Sequence, residues 1–137
     1  MRNMKTLISL ASLTLLLVLA RAQEKPPVKL SPAEARNHAG EVATVCGRVV
    51  NTKIAKYGVA DHGKPVMLDL DQPEPNPVFY FVTFGSKEGG PEEAIKAFKD
   101  KSVCVTGKIT TASGMPYIMA ADRSNVKIQA EDKTANK

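Results

Sequence analysis

The chain holds only two cysteines, and both lie in β-branched runs with a glycine close behind: Val45-Cys46-Gly47-Arg48-Val49 and Val103-Cys104-Val105-Thr106-Gly107. Thiols spaced C-x-x-C bind zinc or cycle between redox states, and that spacing is absent. Two isolated cysteines in an exported chain allow a single connectivity, so Cys46 and Cys104 are expected to form a structural disulfide. Basic and aromatic side chains alternate in two other places. Lys53, Lys56 and Tyr57 open a long polar stretch, Thr52 to Lys64. The run Val-Phe-Tyr-Phe-Val-Thr-Phe, Val78 to Phe84, carries Tyr80 and Phe84. Lysines of this kind, with Lys108, follow a phosphate backbone, and rings stack on bases. The acids Asp69, Asp71 and Glu74 oppose that reading. With Asp61 they offer hard oxygen ligands, but their spacing matches no cation-loop motif.

Catalytic chemistry finds little to work with. His38 and His62 accompany no nucleophile motif such as G-x-S-x-G. A nuclease would need acids and arginines in combination, and beyond the leader the only arginines are Arg36, Arg48 and Arg123. Met67, Met115 and Met119 suit core or rim packing better than copper ligation. The expectation is a binding protein that is not an enzyme, with no cofactor and no metal.

The first residues bear on the compartment. Arg2 and Lys5 precede an apolar stretch from Ile8 to Leu19, and Ala20-Arg21-Ala22 has the small-x-small form of a cleavage site, so residues 1–22 read as a cleavable signal peptide. The apolar stretch falls short of the roughly 18 residues of a membrane span, and no stable membrane anchor is expected after cleavage. The chain is accordingly expected in the periplasm or outside the cell. Of the 19 lysines and arginines, Arg2, Lys5 and Arg21 belong to the leader. The remaining 16 stand against 14 acids, so the net charge falls from +5 to +2. A strongly basic body would favour phosphate or membrane partners, and most of that signal leaves with the leader. The 115 residues after Ala22 suit one domain with one modest core.

The elements that must position these residues follow from pattern. Residues 23–30, with Pro26 and Pro27, read as an extended linker. Ser31-Pro32-Ala33-Glu34 opens a short helix by a capping box, with proline where an N–H would be unpaired, and Gly40 ends it. Strand-like runs occupy Glu41 to Asn51, Pro65 to Asp71 and Val78 to Phe84, the last two separated by the proline-rich turn Gln72 to Pro77. Gly89-Gly90-Pro91-Glu92-Glu93 begins a helix whose apolar face is Ala94, Ile95 and Phe98. Further strands run from Lys101 to Thr110 and from Pro116 to Ala121, and Val126 with Ile128 extends or closes the sheet. Residues 129–137 read as a disordered tail. Three strands, a helix and two strands is the order of an all-β, five-stranded Greek-key barrel of the OB type, here with a short N-terminal helix and spanning residues 31–128.

The residues agree with that architecture. Val45 to Val49, Leu68-Asp69-Leu70, Pro75 to Phe79, Phe98, Lys101 to Ile109, Gly114-Met115-Pro116-Tyr117-Ile118 and Asp122 to Val126 resemble small exported bacterial OB-fold domains of the nucleic-acid-binding, tRNA-anticodon-binding-like superfamily. The resemblance covers Ala33 to Ile128. Both faces of the third strand are apolar, so periodicity alone does not choose its core side. The resemblance implies that Phe79 and Phe81 point inward, leaving Tyr80 and Phe84 on the outer face where OB domains bind oligonucleotides. The competing reading is that the N-terminal helix or the tail covers those rings. Val45, Val103 and Val105 inside would turn Cys46 and Cys104 outward, and OB topology sets their strands side by side, within reach of a disulfide. Closing that loop would stabilise the fold by roughly 4 kcal/mol at most. The implied partner is single-stranded DNA or RNA, held through Lys53, Lys56, Tyr57, Tyr80, Phe84 and Lys108. The alternative is a periplasmic protein-interaction or envelope module using the same face.

Overall fold

The structure is a computed structural model and describes residues 24–130. The leader expected at 1–22 lies outside the described residues, as does the tail beyond residue 130. Seven strands form one mixed sheet: β1 (Val28–Leu30), β2 (Val42–Ile54), β3 (Val66–Leu70), β4 (Tyr80–Thr83), β5 (Ser102–Ala112), β6 (Met115–Met119) and β7 (Val126–Ile128). Their order is β1-β2-β3-β4-β6-β5-β7, with β2 also paired to β5. That extra pairing closes β2, β3, β4, β6 and β5 into a ring. All pairs are antiparallel except β1 with β2 and β4 with β6.

Closure depends on the two long strands. Strand β2 pairs with β5 over Val42–Arg48, then with β3 from Val49 onward, and a bulge at Val50 marks the hand-over. The extra residue bends the strand and lets it serve both neighbours. Gly47 and Gly107 serve close approach. A Cβ on Gly47 would lie 2.7 Å from Pro32 Cγ and 2.8 Å from Asp71 Oδ1, and one on Gly107 would lie 2.7 Å from Ile118 Cγ2.

The ring encloses the core. Val45, Val49, Leu68, Leu70, Phe79, Phe81, Val103, Val105, Ile109 and Ile118 are all sealed from solvent, each such side chain contributing on the order of 1.5–3 kcal/mol of transfer free energy. Helix α1 (Gly90–Phe98) lays Ala94 and Phe98 on the ring, with the Phe98 ring edge-on to Phe81 at 6.0 Å between centroids. Arg123 covers the other side of Phe98 and pairs with Glu93 at 2.5 Å.

The expected N-terminal helix is a 3₁₀ helix, Pro32–His38, in which Pro32 and Ala35 are buried. Glu34 Oε2 accepts from the Ser31 N–H at 2.8 Å and from its hydroxyl at 2.9 Å. One segment goes beyond the expected strand set, and the expected Val126–Ile128 extension joins the sheet. Val28–Leu30, within the stretch read as a linker, is a strand parallel to Ala43–Val45 and buries Leu30. Val126–Ile128 pairs with Val103–Val105, and the Gln129 N–H donates to the Ser102 carbonyl at 2.8 Å, so the ordered chain runs past the expected start of the tail.

Candidate nucleic-acid interface

Alternation along the ring fixes what its outer side presents. The Leu68–Phe81–Ile118–Ile109 row points inward, so the neighbouring rows face out. One reads Asn51, Asp69, Tyr80, Tyr117 and Thr110 across β2, β3, β4, β6 and β5. The next reads Lys53, Met67, Val82 and Met119. The Tyr80 and Tyr117 rings stack, with centroids 5.2 Å apart and planes 10° from parallel. This is the side-chain arrangement expected of adjacent, in-register positions on one sheet face. Burial pushes the Tyr80 phenol up, and the neighbouring Tyr117 and Asp69 add to the shift.

Beside that pair lies a cleft of about 220 Å³, lined by Asn51, Lys53, Met67, Asp69, Glu74, Pro77, Tyr80 and Met115. Asp69 is 8% exposed. Its Oδ2 accepts from Asn51 Nδ2 at 2.9 Å. Burial raises the Asp69 carboxyl above its ordinary range; the Asn51 hydrogen bond opposes the shift, and the Glu74 charge adds to it. A carboxylate kept in such a place without an ion-pair partner works against stability, and such groups concentrate at functional sites.

The site residues named from sequence separate into four places. Lys53 and Tyr80 meet around the cleft. Lys56 and Tyr57 stand apart at the loop after β2, where Tyr57 is 74% exposed and the Lys56 ammonium lies 5.3 Å from its ring centre. Lys108 is exposed on β5, opposite Val42. Phe84, expected on the outer face, is 6% exposed and packs against His62 at 5.0 Å between ring centroids. It is covered by the β2–β3 loop, whereas the competing reading had assigned that cover to the N-terminal helix or the tail. Asp71, grouped by sequence with Asp69, turns away and accepts from the Arg48 N–H at 2.9 Å. Among the described residues no three His, Cys, Asp or Glu side chains converge as a metal site.

Tyr117, Asn51 and Met115 are the members of this face that the sequence reading did not select. Tyr117 had a usable signal, since Ile118 inward sets Tyr117 outward. The parallel pairing of β4 with β6 that brings it beside Tyr80 has no local signature.

The cysteines occupy the other half of the same strands. Cys46 and Cys104 are direct cross-strand partners with Cα atoms 4.0 Å apart, and they form the expected disulfide. Two residues along the strands, on the same face, the Thr44 and Thr106 hydroxyls share a hydrogen bond at 2.7 Å.

No protein-family model matches the chain, and no curated protein matches its sequence. Among solved structures, a chain from Leishmania major Friedlin named as an aspartyl-tRNA synthetase aligns over 82% of this chain with a TM-score of 0.47 and 9% identity. The present chain spans 22% of that chain's length. A likeness of that size carries no argument about function.

Proposed function

We propose that this protein is an exported OB-type barrel that acts as a binding module without catalysis, taking single-stranded nucleic acid across the outer face of β3, β4 and β6. The observation that carries this reading is the stacked Tyr80–Tyr117 pair, placed beside a polar cleft and flanked by Lys53. A sequence-tolerant strand binder needs aromatic faces for bases and cations for the backbone, and the stacking contributes about 1–3 kcal/mol per base. Glu74 and Asp69 make one end of the face unfavourable to phosphate. The backbone is therefore expected to run toward Lys53 and Lys56, with bases turned to the tyrosines. The closed ring β2-β3-β4-β6-β5, with β1 and β7 at its flanks, supports the OB-type reading. The Cys46–Cys104 disulfide suits an oxidising compartment such as the periplasm.

Fluorescence anisotropy with labelled single-stranded DNA and RNA, repeated over a series of salt concentrations, tests the proposal. Binding that weakens with salt is expected, and the double change Lys53→Ala, Lys56→Ala should reduce the log–log salt slope by about 0.7 for each phosphate no longer neutralised. No binding at low salt would refute the reading.

A further inference from the structure

The cleft next to Tyr80 contains more than a stacking surface and a counter-charge. Resting on the nucleic-acid reading above, we infer that the Asn51–Asp69 pair selects guanine at the base position stacked on Tyr80. The argument begins with what the pair can donate and accept. An ionised carboxylate only accepts hydrogen bonds, so the contact from Asn51 Nδ2 to Asp69 Oδ2 orients the Asn51 amide with its NH₂ group toward the carboxylate. The amide keeps a second N–H. Asp69 Oδ1 has no protein partner among the described residues, and Oδ2 retains a free lone pair. Together the pair presents one donor and two acceptors.

Only one common base offers the complement of that set along a single edge. Guanine carries an acceptor, O6, followed by two adjacent donors, N1–H and the N2 amino group. Adenine and cytosine each offer an amino donor followed by an acceptor, which would meet the second carboxylate oxygen repulsively. Thymine and uracil offer a single donor between two acceptors. A carboxylate accepting two parallel N–H bonds is also the strong, geometrically demanding form of this interaction.

The surroundings favour use of the pair over a purely structural role. Asp69 is more than nine-tenths buried, yet it lines an open cleft. Its cross-strand neighbour on one side is Tyr80 and on the other Asn51, so a base stacked on that ring lies next to the carboxylate. Met67, Pro77 and Met115 supply apolar walls for a flat ring. A buried polar site of this kind rejects bases that leave its groups unpaired, because each unpaired group then bears its full desolvation penalty.

The test uses thymine strands carrying one central guanine, adenine, cytosine or inosine, titrated against the full protein and against Asp69→Asn. The inference expects the guanine strand to bind at least about tenfold tighter than the adenine and cytosine strands, with inosine, which lacks the N2 amino group, in between. Asp69→Asn should remove that preference, so that the guanine, adenine and cytosine strands bind the folded variant alike. Equal affinity for all four strands would overturn the guanine assignment while leaving the nucleic-acid reading intact. A guanine preference that persists in a folded Asp69→Asn protein would overturn the role of Asp69. Absence of binding to every strand would refute the underlying reading and this inference with it.

Discussion

The two halves of strands β2 and β5 are built to opposite specifications. Where they pair with each other, the outer side satisfies its own polar groups: Cys46 is bonded to Cys104, and the Thr44 hydroxyl to that of Thr106. Where β2 parts from β5 to pair with β3, the outer side contains a desolvated carboxylate, two stacked phenols and an exposed lysine. The inner row there ends in Thr83, whose buried hydroxyl has no partner among the described residues. One half is satisfied within itself. The other keeps an under-satisfied carboxylate and ring faces on its outer side, and that imbalance is the ground on which we propose it as the binding surface.

The contrast can be broken most severely at the disulfide. Changing Cys46 and Cys104 together to Ser should lower stability by up to about 4 kcal/mol by the loop-closure argument, read as a drop in denaturant midpoint with an unchanged slope. Because the clip lies in the other half, the folded fraction should bind nucleic acid as before. Next in size, Tyr80→Ala should weaken strand binding by about tenfold to a hundredfold, and Tyr117→Ala should have a similar effect, with anisotropy as the readout. A smaller change sharpens the account of unmet polar groups. Thr83→Val removes a hydroxyl that nothing satisfies and should raise stability by about 1 kcal/mol. Thr44→Val should do the reverse, since it strands the Thr106 hydroxyl.

The subtlest effect concerns Asp69. Folding raises its carboxyl, chiefly through burial, so the folded state disfavours the charged form. The resulting penalty is fully present above the folded-state value and disappears as pH falls toward and below the ordinary carboxylate value. Asp69→Asn should therefore be more stable than the parent protein at neutral pH, and the two thermal unfolding curves should converge as the pH enters the carboxylate range. A gap that widens on acidification would contradict the burial argument.

Much of this was legible from residue types and alternation. Val45, Val103 and Val105 inward set both cysteines outward on neighbouring strands, and the structure places them in direct register. Leu68 and Leu70 inward set Asp69 outward beside Tyr80. What escaped the sequence depends on contacts between distant segments. Val28–Leu30 is three residues following two prolines, too short to show a period, and its strand character comes from a parallel partner. Phe84 looked like a surface ring because alternation says nothing about a loop folding back, and His62 covers it. The Val50 bulge has no local signature either, because the register change it makes is set by which strand β2 pairs with on each side.

The central claim is that the half of the ring with unmet groups is the binding surface, and amide chemical-shift mapping during titration with a single-stranded oligonucleotide tests it most directly. The account predicts that the largest shifts fall on Asn51, Lys53, Asp69, Tyr80 and Tyr117, with Thr44, Cys46, Cys104 and Thr106 unmoved. Shifts concentrated on the disulfide half, or none at all at low salt, would contradict it.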